Sequence, residues 1–339
     1  YVFTLLDWID VNKINWSWLS FNPNAILLLE QNQDKIDWHN LSENPNAIAL
    51  LEQNQDKINW YSLSYNPNAI ALCQKNQDKI NWYRLSGNPT AISLLEQNQD
   101  KLNWSILSSN PNAISLLEQN QDKIYWGQLS LNPNPNAIAL LEKNQDKIYW
   151  DKLSLNPRAI SLLEKNQDKL HWYNLSSNPN AMTLLEQNQD KIHWSRLSKN
   201  TNPRAISLLE QHQDNIDWDN LYLNPNAISL LKQNQEKIDW DYLSYNPNAI
   251  PLLENNQDEI CWGRLSTNPN PDAMTLLERY QDKIDWHYLS RNPSIFEKKL
   301  NYAYVRKRMD IIREELIAAS MHPKRLARHL ELGGEIDDW

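Results

Sequence analysis

The sequence predicts an all-α repeat solenoid, and three observations carry that prediction. A Trp recurs at Trp16, Trp38, Trp60, Trp82, Trp104, Trp126, Trp150, Trp172, Trp194, Trp218, Trp240, Trp262 and Trp286, with a step of 22 residues that lengthens to 24 at three places. The same apolar, Asn and Pro positions flank every Trp, as in NQDKIDWHNLSENPNAIALLEQ, Asn32 to Gln53. Within that stretch Ala47, Ile48 and Leu51, with Leu50 to one side, follow the i, i+3, i+4 spacing of a helix face. A fixed period of this length marks units that cannot bury their apolar side alone and do so by stacking on neighbours.

In chain order, residues 1–15 read as a partial first repeat, 16–293 as a solenoid of thirteen copies and 294–339 as a C-terminal helical cap. One half of each copy, Asn44 to Gln53, reads as a helix with Asn44 as N-cap and Pro45 in the first turn, where its missing N–H is not needed. The other half, Asp34 to Ser42, is ambiguous. The three-residue steps Lys35, Trp38, Leu41 suit a short α- or 3₁₀-helix, whereas the two-residue step from Ile36 to Trp38 suits a strand, as in a leucine-rich-repeat-like α/β horseshoe. The helical alternative is the expectation. The Trp column is expected in the core, and the Asn of each Asn-Pro pair is expected to cap helices and to run as a hydrogen-bonded ladder.

Three copies, LSLNPNPNAI at Leu129, LSKNTNPRAI at Leu197 and LSTNPNPDAM at Leu265, carry two extra residues in the same loop, at every third repeat. Either a block of three was duplicated, or the stack coils with about three repeats per turn. Beyond Pro293 an amphipathic helix is expected over Ser294 to Ser320, its stripe Val305, Met309, Ile312 and Leu316 covering the end of the stack. His322-Pro323 breaks it, KRLARHLEL forms a second short helix, and Gly333-Gly334 ends that one.

With 33 Lys and Arg against 42 Asp and Glu, the chain is acidic and lacks basic stripes, a poor fit to nucleic acid. Cys73 and Cys261 form neither a disulfide framework nor a metal motif. No 18-residue apolar run or signal peptide is present, which implies a soluble protein of a reducing compartment, and the start at Tyr1 is consistent with a piece of a longer chain. Gly-rich phosphate loops, nucleophile elbows and zinc motifs are absent, and carboxylates recur at repeat spacing instead of forming one singular pair. The expectation is a non-enzyme without cofactor or metal.

Partner choice in repeat proteins falls to the variable columns. The column before the Trp carries Tyr125, Tyr149, His171 and His193 in four successive copies. The column after it includes Tyr61, Tyr83 and Tyr173, and the one before Asn-Pro includes Tyr65 and Tyr245. Exposed Tyr and His favour contact with a protein. Binding of a glycan or small ligand by the Tyr125 to His193 ladder is the alternative, and unconstrained solvated positions are the bland one.

The pattern NPNAISLLEQNQDKIDW followed by LS and NP resembles short tandem repeats in proteins of giant nucleocytoplasmic DNA viruses, over about 280 residues, and the tail from EELIAASMHPKRL looks like endings in such proteins. The resemblance implies a viral protein made in host cytoplasm, a non-enzymatic scaffold whose partner is a capsid component, as in a minor virion protein, or a host factor. It transfers no catalytic residue.

Overall fold

The computed structural model describes residues 1–320 and 322–331. Each of the first twelve copies folds as an α-helix that begins at the Trp, a second short α-helix and, in most of them, a 3₁₀ turn, as in Trp38–Glu43, Ile48–Gln53 and Gln55–Lys57. The strand alternative is not realised. The ambiguous segment is a 3₁₀ turn, then two extended residues such as Ile58 and Asn59, then the Trp helix, so its three-residue and two-residue steps belong to different elements.

The Asn-Pro pair behaves differently from expectation. In the 22-residue copies it forms a turn that closes the Trp helix, and the second helix starts three residues later, after Ala47, without a side-chain cap. The capped start appears only in the long copies. There the inserted pair puts Asn134, Asn202 or Asn270 at the N-cap and Pro135, Pro203 or Pro271 in the first turn, giving nine-residue helices.

Between the two helix rows lies a continuous apolar layer of Leu41, Ala47, Leu50, Leu51 and Ile58 and their equivalents. Cys73 takes a Leu position in that layer, and burial pushes its thiol up to about 11. Two polar columns tie the copies together. The Ser42 hydroxyl donates to the Trp38 carbonyl and accepts the Asn59 N–H of the next copy. The buried Asn66 amide donates to the carbonyls of Ser42 and Asn44 in the copy before it, while its oxygen accepts the Asn68 N–H.

The same bonds join the first copy to the last. Asn22 donates to the carbonyls of Ser290 and Asn292, the Asn15 N–H donates to the Ser290 hydroxyl, and Lys13 lies over the Trp286 ring as Lys35 lies over Trp16. The solenoid is therefore a closed ring of thirteen copies. The thirteenth is assembled from both ends of the chain: Trp286 to Ile295 supply its first half, and Lys13, Ile14 and Asn15 supply the approach to the next Trp helix. Where its second helix would stand, β1 (Val2–Leu5) pairs antiparallel with β2 (Phe296–Lys299), Leu5 opposite Phe296 and Val2 opposite Lys299.

Closure corrects two expectations. The repeats do not coil at three per turn, since one turn holds all thirteen and the long copies lie at separate azimuths. The stack also presents no open end for a cap. The helix begins at Tyr302, after the 3₁₀ turn Pro293–Ile295 and β2, runs to Ser320, and leaves Val305, Met309, Ile312 and Leu316 exposed. A further helix spans Pro323–Glu331, and the Gly333-Gly334 stop lies outside the described residues.

Several neighbouring Trp helices make more extensive contact than any neighbouring pair of second helices, and on their side Arg84 reaches Glu43 two copies away; in a closed ring the shorter circumference belongs to the inner row. One cavity lined jointly by Trp18, Tyr245, Thr267 and Tyr288, from four consecutive copies, agrees with a concave wall on that side. At about 8–10 Å per packed step, the inner row is roughly 35–40 Å across at its axes, leaving a bore of roughly 20–30 Å once helix width is subtracted.

Replacing Asn66 by Ala leaves two carbonyls and one N–H without these bonds, and the expected loss is about 3 kcal/mol or more. Asn68→Ala, which removes one exposed bond to the Pro45 carbonyl, is expected to cost less than about 1 kcal/mol. Urea unfolding of the two variants beside the parent checks the difference.

Candidate functional site

The Trp rings are half-buried instead of fully in the core. One face packs on the apolar layer, and in eleven copies a Lys of the following step lies over the ring, 4.5 to 5.3 Å from its centroid. Trp194 and Trp240 are the exceptions because Asn215 and Glu259 replace that Lys. His212 packs on Trp194 instead, at 4.8 Å. These cation–π stacks, worth about 0.5–1 kcal/mol each at exposed sites, explain the DK pair as a structural column.

With Leu41 and Ser42 turned inward and Trp38 shared with the neighbour, the free side of a Trp helix consists of the residues one before, one after, two after and five after the Trp. Those four columns face the bore. All nine residues singled out from the sequence, Tyr125, Tyr149, His171, His193, Tyr61, Tyr83, Tyr173, Tyr65 and Tyr245, are exposed there.

Two of the columns interleave between copies. Tyr173 sits between the two His that share a column, its ring 6.2 Å from His171 and 4.5 Å from His193, and Arg196 covers it at 4.2 Å. The His pair is thus separated by a phenol ring. Tyr149 lies against Gly127 of the preceding copy, where a Cβ would fall 3.5 Å from the Tyr ring. Tyr61 and Tyr65 hold the Arg84 guanidinium between them, at 5.0 and 4.7 Å, with Glu43 as its ion-pair partner. Tyr83 stands beside Tyr65 and Arg84 along one cleft, and Tyr245 lines a different cavity.

The column before the Trp has a second duty. Asn15, Asp37, Asn59, Asn81, Asn103, Asp217, Asp239 and Asp285 each accept a backbone N–H of the Trp helix they precede. Tyr125, Tyr149, His171, His193 and Cys261 make no such cap. Four consecutive copies therefore forgo about 1 kcal/mol each and place an aromatic or imidazole ring on the inner wall.

The column two after the Trp, with Trp18, Arg84, Arg196, Tyr242, Arg264 and Tyr288, belongs to the same surface and was not singled out from the sequence. Its enrichment in Arg and aromatics at the repeat period was the available signal. Tyr222 is the other omission. It replaces the bridging Ser, lies 3 % exposed, stacks on Tyr242 at 5.8 Å and donates to Asp219 at 2.9 Å. Burial, then that carboxylate, raise its phenol pKa.

Fold and surface together define a closed helical-repeat ring with an aromatic, His- and Arg-bearing inner wall. Compared with known proteins, the chain matches no family model, no curated sequence and no solved structure. Among the described residues no helix is long and apolar enough to cross a membrane.

Restoring the missing cap tests the reading of the first column. Tyr125→Asn, Tyr149→Asn, His171→Asn and His193→Asn are each expected to raise unfolding stability by about 0.5–1.5 kcal/mol, measured by urea titration. Asn59→Asp, which exchanges one capping side chain for another, is expected to leave stability within about 0.5 kcal/mol.

Proposed function

We propose that the protein is a non-enzymatic ring scaffold that binds another protein through the inner wall of copies six to nine. The observation that supports this reading most directly is the replacement of helix caps by Tyr125, Tyr149, His171 and His193 in four consecutive copies. Drift without constraint would scatter such losses along the ring, whereas four of the five are contiguous, with Cys261 the one apart, and the two His of the run are joined through Tyr173 to Arg196 by ring contacts. Rigid aromatic side chains give large contact area at small entropic cost. Several such positions in series let modest contacts sum by avidity. The resemblance of the repeat to giant-virus proteins makes a capsid component of the virus particle the partner to seek first, and a host factor the next.

A photo-reactive amino acid at position 149, on the inner wall, and at position 143, on the outer row, tests this in infected cells. One dominant cross-linked protein from position 149, absent from position 143 and lost in the His171→Asn/His193→Asn variant, is the expected result. Equal capture from both positions, or none from 149, overturns the reading.

A further inference from the structure

The cavity at the join of the ring brings aromatic rings and an Arg together in an otherwise acidic chain. It encloses about 370 Å³ and is lined by Trp18 of the first copy, Tyr245 of the eleventh, Thr267 of the twelfth, and Tyr288 and Arg291 of the thirteenth. That volume is in the range of small-molecule sites. Its lining contains no carboxylate.

Arg291 lines it and is fixed by aromatic packing instead of by an ion pair, and Arg264 packs on Tyr245, which also lines it. Arg291 lies 5.0 Å from the ring centroids of both Trp18 and Phe21, and Arg264 lies 3.9 Å from that of Tyr242 and 5.4 Å from that of Tyr245. Neither makes an ion pair among the described residues. The wall itself is held in place: the Trp18 indole N–H donates to His287 Nε2 at 2.6 Å, and the imidazole packs edge-on at 5.6 Å. A guanidinium on an aromatic face keeps its N–H fork available, and that fork matches a carboxylate in two parallel bonds. The Trp18, Tyr245 and Tyr288 rings offer stacking or edge contacts to a planar body beside it.

We propose that this cavity binds a carboxylate carried on a planar aromatic body. The carrier is either a free aromatic acid or the carboxylate terminus of a peptide ending in an aromatic residue. Trp18 and Arg291 come from opposite sides of the join, so the complete cavity exists only in the closed ring. Ligand binding therefore stabilises closure by mass action. This site lies apart from copies six to nine, and its occupancy does not depend on the scaffold partner.

Isothermal titration of the full chain with indole-3-acetate and its uncharged analogue indole-3-acetamide tests the proposal. A parallel pair of titrations uses a short peptide ending in Trp, with a free or an amidated terminus. At least tenfold preference for the carboxylate member of a pair is expected, and Arg291→Gln is expected to abolish that preference while the circular-dichroism spectrum stays native. Preference in the small-acid pair assigns a free metabolite-like acid, and preference confined to the peptide pair assigns a protein terminus; both uphold the site. Equal binding within both pairs, no binding by any probe, or an unchanged preference in Arg291→Gln overturns it.

Discussion

The structure depends on one buried amide. Each Asn of the Asn-Pro column donates twice to carbonyls of the copy before it and accepts one N–H of its own turn, as Asn44, Asn66 and Asn110 do. A helix end leaves carbonyls without intrahelical partners, and in helices of four to six residues that is most of the helix. By satisfying those carbonyls from the neighbouring copy, the amide turns elements too short to persist alone into a continuous wall. It also sets the angle between copies, because the acceptors are backbone carbonyls and the buried amide is itself held by the N–H of its own turn.

Repeating one rigid interface thirteen times fixes the global shape. The step angle it imposes brings the thirteenth copy back to the first, where Asn22 finds Ser290 and Asn292 in the same relation. Splitting that copy between the chain ends lets closure occur without a separate clasp, and the β1–β2 pair fills the position of one helix. The strands fill it incompletely, leaving a cavity of about 670 Å³ among Leu6, Trp8, Met274 and Phe296. An inner wall made only of Trp helices then gathers the variable columns onto a single concave surface. Fold and candidate site thus have one origin.

Much of this was legible in the residues. Period, helix content and core positions followed from the Leu, Ile and Ala spacing, and the exposure of Tyr125, Tyr149, His171 and His193 followed from variability between fixed apolar columns. The Asn-Pro rule for helix starts failed in the short copies because Asn44 is more strongly used between copies than at its own helix, and it held where insertion supplied a second pair at Asn134-Pro135. The Trp column misled for a related reason: a periodic indole can be half-buried when a Lys such as Lys57 covers its outer face. Ring closure was not legible from any single window, since it is the sum of thirteen small rotations. Its trace is that two partial copies, Lys13 to Asn15 and Trp286 to Ile295, add up to one.

Closure is the central claim, and spin-label distances test it most directly. Ser17, Ser105 and Ser195 occupy the same column in copies one, five and nine. Labels placed at 17 and 105 span four steps, and labels at 17 and 195 span eight in one direction but five in the other around thirteen copies. The ring predicts that the second distance exceeds the first by only about a tenth to a fifth, as chords of a closed cyclic assembly do. A second distance about twice the first, as an open rod of stacked repeats would give, would contradict it.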